Sequence, residues 1–345
     1  MNILILNNIP TETGIGRYVN DLYNSLRNCK YIYVKVLNFP NYNDYKKRIF
    51  VGDIVKPRYK TMTMNVLFRN IIDRRVMKMI YDYNGVVHYT ASTMPVYKSK
   101  ATKIGTVHDF YPFENKFEYT LFYSKYIERN LKYLLNLDNV IVTTNVYKTK
   151  LLEEYKYNGR VFVVPYAISN SFIQIENKAA LRKELNLPTD KILILSVSDS
   201  SPHKNINILP SVMKILGDKF SLVRVGVKVG ESITFSHANN TLINKIYNAC
   251  DVLVFPSLVE GFGFPMIEAF ATGLPVVASD ISVFHEIGGV APIYVNNKDP
   301  DSIANGIREA LNNKEKMSKN GLEMRKLYSI DILGARMRKV YENII

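Results

Sequence analysis

The feature that most limits the fold of this chain is a rhythm that starts twice. Short apolar runs alternate with longer amphipathic stretches over all 345 residues. Runs such as Ile3–Leu6 and Val252–Phe255 show no polar face, which suits strands covered on both sides by helices in a parallel α/β sheet. In the first part, strands are expected over Ile3–Leu6, Tyr33–Leu37, Val86–Tyr89, Lys103–Val107, Val140–Thr143 and Val161–Val164. Helices are expected over Gly16–Leu26, Val66–Tyr83, Tyr119–Leu135 and Val146–Tyr155. In the second part, strands are expected over Ile192–Val197, Ser221–Val225, Val252–Phe255, Val276–Ala278 and Ile293–Val295. Helices there are expected over Asn205–Leu216, Leu242–Ala249, Pro265–Ala271 and Ser302–Leu311, with a last one over Ile330–Ile345. The restart falls in the polar stretch 165–177. Two domains, 1–168 and 169–328, and a closing helical segment, 329–345, follow from it; a chain of this length exceeds one ordinary core.

Ligands of open parallel sheets bind at the carboxyl ends of the strands, where helix N-termini offer free N–H groups. Functional residues are therefore sought in loops just after strands. The densest such loop runs through ACDVLVFPSLVEGFGFPMIEAFATGLPVVASD, residues 249–280. The strand ends at Pro256, and Glu260, Gly261, Phe262, Gly263, Phe264 and Pro265 follow. Pro265 suits the first residue of a helix, which would put Glu268 in that helix's first turn. The glycines let the backbone approach a ligand closely. Glu268 lies eight residues beyond Glu260, and carboxylates, which only accept hydrogen bonds, suit sugar or ribose hydroxyl pairs.

Glu260 and Glu268 within EGFGFPMIEAFATGLPVVAS resemble the signature of retaining glycosyltransferases of family 4. The resemblance implies the GT-B fold: two Rossmann-like domains facing each other across a cleft, the last helix crossing back to the first domain. It implies an acceptor-binding first domain and a donor-binding second domain. It also implies a metal-independent enzyme that moves a hexose-type sugar from a nucleotide sugar, such as a UDP- or GDP-sugar, to an acceptor hydroxyl. The acceptor would be a glycan, or lipid-linked or protein-linked. By resemblance, Glu260 lies near the transferred sugar, Glu268 binds the ribose, and residues Gly261–Pro265 hold sugar hydroxyls and diphosphate. A nucleotide-sugar epimerase or hydrolase of the same fold, or a catalytically weak nucleotide-sugar-binding protein, is the alternative.

The resemblance extends to three more loops. TGIGRYVNDL places Gly14 and Gly16 at a helix start near the donor phosphates, and Val19 breaks the pattern a dinucleotide fold would need. In TVHD, His108 takes the family's donor-sugar contact and Asp109 stands beside it. In SVSDSSPHKN, Lys204 matches a lysine that clamps the leaving diphosphate, but Asp199 occupies the place of an arginine. Either Asp199 points away and another cation, such as Arg17, substitutes, or the donor differs, or the enzyme is slow. No cofactor or metal is expected. The one DxD motif, Asp299-Pro300-Asp301, reads as a helix start capped by Asp301.

Charge separates the two parts. Residues 1–170 hold 25 Lys and Arg against 13 Asp and Glu, and residues 171–345 hold 20 against 18, which gives +12 and +2 of the total +14. The basic excess suits an anionic substrate or membrane surface, or simply a solvated lysine-rich face; no nucleic-acid partner is expected. The same choice applies to Tyr45–Tyr83. Its apolar positions over Val66–Ile80 fit a core-facing helix, or an interfacial helix beside the basic Lys46, Lys47 and Arg48. Cys29 and Cys250, both in segments that read as helical, give no disulfide framework, and the first residues read as a strand with no signal peptide. A cytoplasmic protein, peripheral on a membrane's inner face in the interfacial reading, is expected.

Overall fold

The computed structural model describes residues 1–7, 14–27, 29, 32–38, 80–91, 96–115, 121–236 and 238–345. The chain divides into two units, residues 1–164 with 333–345, and residues 165–332. Residues 66–79 of the expected helix Val66–Tyr83 and the basic cluster Lys46–Arg48 lie outside the described residues.

Unit 1 holds β1 (Asn2–Asn7), β2 (Tyr33–Asn38), β3 (Val86–Tyr89), β4 (Thr102–Val107), β5 (Asn139–Val142) and β6 (Arg160–Val163). These described strands form one parallel sheet in the order β2-β1-β3-β4-β5-β6. β3 and β5 are buried along their whole length. That is why they read as apolar runs without alternation. The C-terminal residues 333–345 belong to this unit. A Cβ on Gly334 would stand 2.7 Å from the carbonyl oxygen of Ser25, so the last helix approaches the first one as only glycine allows. Tyr341 Oη meets His88 Nδ1 at 2.7 Å, and Arg160 Nη1 donates to the carbonyl of Asn343.

Unit 2 holds β7 (Ile192–Ser198), β8 (Phe220–Gly226), β9 (Ile233–Phe235), β10 (Val252–Phe255), β11 (Val276–Ser279) and β12 (Ile293–Val295). All six strands run parallel in the order β12-β11-β10-β7-β8-β9. The first strand, β7, thus lies beside the fourth, β10, and the direction of winding reverses between them. One core cluster under this sheet joins Ile194, Val252, Val254 and Val277 to Ile303 and Ile307 of the helix Pro300–Asn312.

Sequence expectations and structure differ at a few places with clear physical causes. β9 is three half-buried residues, too short to leave a pattern. The helix expected over Asn205–Leu216 begins as two 3-10 turns, Pro202–Lys204 and Ile206–Ile208, before Leu209–Leu216. Asn205 between them has φ +53, a left-handed residue that no continuous helix admits. Asp299, not Asp301, caps the helix that starts at Pro300, because Pro300 takes the first helical position and Asp299 Oδ1 accepts from the Asp301 N–H. Cys29 and Cys250 are both free thiols just past helix ends, not within helices. Among the described residues no helix is long and apolar enough to cross a membrane.

Candidate active site

The winding reverses between β7 and β10, and open α/β sheets bind ligands outside the carboxyl ends of the strands at such a point. Two loops border it, 199–205 after β7 and 256–263 after β10. They are laced together: the Leu258 N–H donates to the His203 carbonyl at 2.7 Å, and Asn205 Nδ2 donates to the carbonyls of Pro256 and Asn297. Asn297 Nδ2 in turn donates to the Ser257 carbonyl at 3.1 Å. The left-handed Asn205 turns the chain sharply enough to bring Lys204 over the second loop.

Lys204 and Glu260, 56 residues apart in the chain, meet there. Lys204 Nζ donates to Glu260 Oε1 at 2.8 Å, and Ser257 Oγ donates to the same oxygen at 2.7 Å. Glu260 is buried, at 8% exposure, so its charge depends on these donors. An ammonium has three protons, so Lys204 can hold Glu260 and still turn protons toward an anion.

The Gly261–Pro265 loop is shaped from below. Gly263 has φ +121, and a Cβ there would stand 3.1 Å from Phe284 and 3.4 Å from Phe255, so both conformation and space call for glycine. Phe264 stacks on Tyr166 with ring centroids 4.8 Å apart and planes 10° apart, while Phe262 packs against Tyr166 and Tyr328. The helix Phe264–Thr272 starts on this platform, with Pro265 at its second position. Glu268 is its fifth residue, one position deeper than a helix starting at Pro265 would place it and so just past the first turn, and is 1% exposed. Tyr247 Oη donates to its Oε2 at 2.8 Å.

Asp199 follows β7 with its carboxylate folded onto its own loop, Oδ1 accepting from the Ser201 N–H at 2.8 Å. Burial works to raise the Asp199 carboxyl, but the Ser201 hydrogen bonds and the charges of Lys204 and His203 outweigh it and hold it below the ordinary value.

In unit 1, Gly14 opens the helix Gly14–Leu26 and Gly16 is buried in its first turn. His108, just after β4, is 4% exposed and packs edge-on to Tyr18 at 5.4 Å. Burial pushes its pKa down to about 4, although the Thr90 carbonyl works to raise it. Nε2 faces that carbonyl, which can only accept, so the neutral ring carries its proton on Nε2 and presents Nδ1 as an acceptor. Asp109 Oδ1 accepts from the Tyr111 N–H at 3.1 Å and starts the short helix Tyr111–Glu114.

The structure thus joins Lys204, Glu260, Gly261–Pro265 and Glu268 within unit 2, and joins His108 and Asp109 at the end of β4 in unit 1. Sequence reasoning missed Ser257, Asn205, Asn297 and Tyr247, ordinary polar residues whose partners lie far along the chain. It also missed Arg224, whose signal was available: a lone cation inside the apolar strand FSLVRVG.

Residues 177–326 match the family model of glycosyl transferases group 1. Over those residues the chain is similar to that family. The matched segment contains Lys204, Glu260 and Glu268. The O-antigen chain mannosyltransferase RfbU of Salmonella typhimurium is 27% identical over 239 residues, which are 64% of this chain and 63% of that protein. The match thus leaves more than a third of RfbU unspanned. Sucrose-phosphate synthase from Thermosynechococcus elongatus superposes with a TM-score of 0.75 at 19% identity, over 99% of this chain and 98% of that one. HepE from Anabaena, solved in complex with UDP-glucose, gives 0.74 at 14% identity over 99% and 100%. The fold of this chain is therefore GT-B.

Proposed function

We propose that this chain is a glycosyltransferase that moves a hexose from a nucleoside diphosphate to an acceptor hydroxyl with retention of anomeric configuration. The observation that carries the reading is the meeting of Lys204 and Glu260 at the reversal point of unit 2, with Glu268 on the helix that follows. Departure of a nucleoside diphosphate needs fixed positive charge that does not have to reorganise during the reaction. Lys204 supplies it, held in place by Glu260 and by the turn at Asn205. Glu260 faces the anomeric centre, where positive charge develops as in other oxocarbenium-like transfers. Glu268, oriented by Tyr247, accepts from the ribose hydroxyls, and the amides of Gly261–Phe264 receive sugar hydroxyls and phosphate oxygens.

His108 is assigned to a donor-sugar contact, with Asp109, Gly14 and Gly16 as its companions in unit 1. A UDP- or GDP-linked hexose is the donor class, supported by the UDP-glucose bound to HepE and by the mannosyltransferase activity in RfbU's name. A glycan or a lipid-linked or protein-linked hydroxyl is the acceptor class.

The test is a screen of UDP- and GDP-hexoses for release of nucleoside diphosphate, followed by assignment of the product's anomeric configuration by NMR. Glu260→Gln should keep nucleoside diphosphate affinity and lower turnover about tenfold or more, because a charge at the anomeric centre acts mainly in the transition state. An inverted product would overturn retention, and unchanged turnover in the variant would remove Glu260 from the mechanism.

A further inference from the structure

A diphosphate carries more charge than one lysine offsets, and in the loop after β7 the carboxylate of Asp199 opposes it. The next strand holds a second cation at this edge. Arg224 of β8 pairs in register with Ser196, and its guanidinium runs to the carboxyl end of the sheet. Nη1 donates to Ser196 Oγ at 2.8 Å and Ser198 Oγ at 3.2 Å, Nη2 to the Ser198 carbonyl at 2.9 Å, and Nε to the Val227 carbonyl at 3.3 Å. Gly226 leaves room for the approach: it has φ +126, and a Cβ there would stand 2.1 Å from the Ser198 oxygen.

All of these acceptors are neutral, and Arg224 is fully buried. Among the described residues no carboxylate lies within ion-pair distance of it. A buried, hydrogen-bonded cation without a paired anion is costly to keep. Burial pulls its pKa down to about 10, against the charge of Asp199, which works to raise it. The cost is placed under one peptide. The carbonyl that accepts from Nη2 belongs to the Ser198–Asp199 peptide, whose N–H opens the loop leading to Lys204. Hydrogen bonding at one end of a peptide polarises the other.

We propose that Arg224 supplies the second positive charge of the diphosphate site, acting from beneath the loop through its field and the Ser198–Asp199 peptide. It is a positioning residue and makes no contact with the donor. This rests on the nucleotide-sugar reading above. It also accounts for Asp199: its carboxylate builds the turn to Ser201, and the charge expected at residue 199 comes from the neighbouring strand instead.

The experiment is calorimetry of the full chain with UDP and GDP, each against its parent nucleoside. Arg224→Gln should weaken nucleoside diphosphate binding on the order of tenfold and leave nucleoside binding unchanged. Adding Asp199→Arg to that variant should restore the preference by placing a cation on the loop itself. Arg224→Lys, which keeps the charge and loses the fork of hydrogen bonds, should keep the preference, and it decides the matter if Arg224→Gln does not fold. Equal losses for diphosphate and nucleoside, no loss at all, or loss of the preference in Arg224→Lys would overturn the inference and leave Arg224 a shaper of the loop. A wild-type protein that binds neither diphosphate better than its nucleoside would overturn the nucleotide-sugar reading itself, and this inference with it.

Discussion

The two units share a plan, six parallel strands with the candidate residues at strand ends, yet they handle charge in opposite ways. Unit 2 lies in the part of the chain with little net charge, and its candidate site is built from charges fixed by hydrogen bonds: Lys204 on Glu260, the exposed Asp199 on its own turn, and Arg224 buried beneath. Unit 1 lies in the strongly basic part, and its site residue is a histidine that burial keeps neutral. Net charge therefore says little about where charged chemistry sits. Fixed charges are most effective where hydrogen bonds and low polarity hold them still, and an exposed excess of lysine is screened by water and salt.

The largest expected effect breaks the charge pairing of unit 2. Lys204→Ala removes the loop's phosphate cation and strips buried Glu260 of one of its donors. Nucleoside diphosphate release should fall on the order of a hundredfold or more, the usual result of deleting a preorganised charge-stabilising donor. A steady-state assay that finds wild-type release would show that the Lys204–Glu260 pair is structural only.

Glu268→Ala comes next. A charged hydrogen-bond partner of the ribose contributes about 1.5–3 kcal/mol, so nucleoside diphosphate binding should weaken while 2′,3′-dideoxy analogues bind as before. Equal affinity of variant and wild type for the ribonucleotide would end the ribose assignment.

The third expected effect sharpens the contrast from the side of unit 1. Burial pushes His108 down to about 4 and, with the charge of His108 adding to it, His88 down to about 3. Unfolded histidines protonate near 6.5, so the stability these two contribute is complete above that and is lost as pH falls toward their folded values. Asp21 acts in the opposite sense. Burial, against the charge of Arg17, raises it to about 7, so its contribution is complete below the ordinary carboxylate value and is lost as pH rises through 7. Two groups outweigh one, and acidification from pH 7 to 5 should cost unit 1 on the order of 2 kcal/mol, at about 1.4 kcal/mol per pK unit. Hydrogen exchange should show faster opening of β3 and β4 at pH 5 than at pH 7. Equal protection at both values would mean that these histidines are protonated as readily in the fold as out of it.

The smallest effect at physiological salt concerns the basic excess itself. Read as a membrane-facing surface, it predicts sedimentation with anionic but not neutral vesicles, fading as salt is raised, with each basic residue at the surface worth about 1 kcal/mol. Replacing Lys46, Lys47 and Arg48 by Ser should weaken this binding, by up to about a hundredfold at low salt and by much less at physiological salt. Equal recovery in the supernatant with both vesicle types at low salt would leave a soluble acceptor as the better reading.

Most strands could be read from sequence because parallel strands covered on both faces must be apolar throughout, a property each segment carries alone. Val86–Tyr89 and Val252–Phe255 match their expected bounds for that reason. The Glu260–Glu268 signature was legible because strand, glycine loop and helix are contiguous, so local geometry sets the spacing. Short elements held only by neighbours were not legible, such as β9 and the broken helical turns around Asn205. Nor were the partners that give the signature residues their electrostatics. Tyr247 reaches Glu268 across 21 residues, Lys204 reaches Glu260 across 56, and Arg224 reaches Ser196 across 28. These pairings exist because the winding reverses between β7 and β10, and a reversal of strand order is a property of the packed sheet that no single segment encodes.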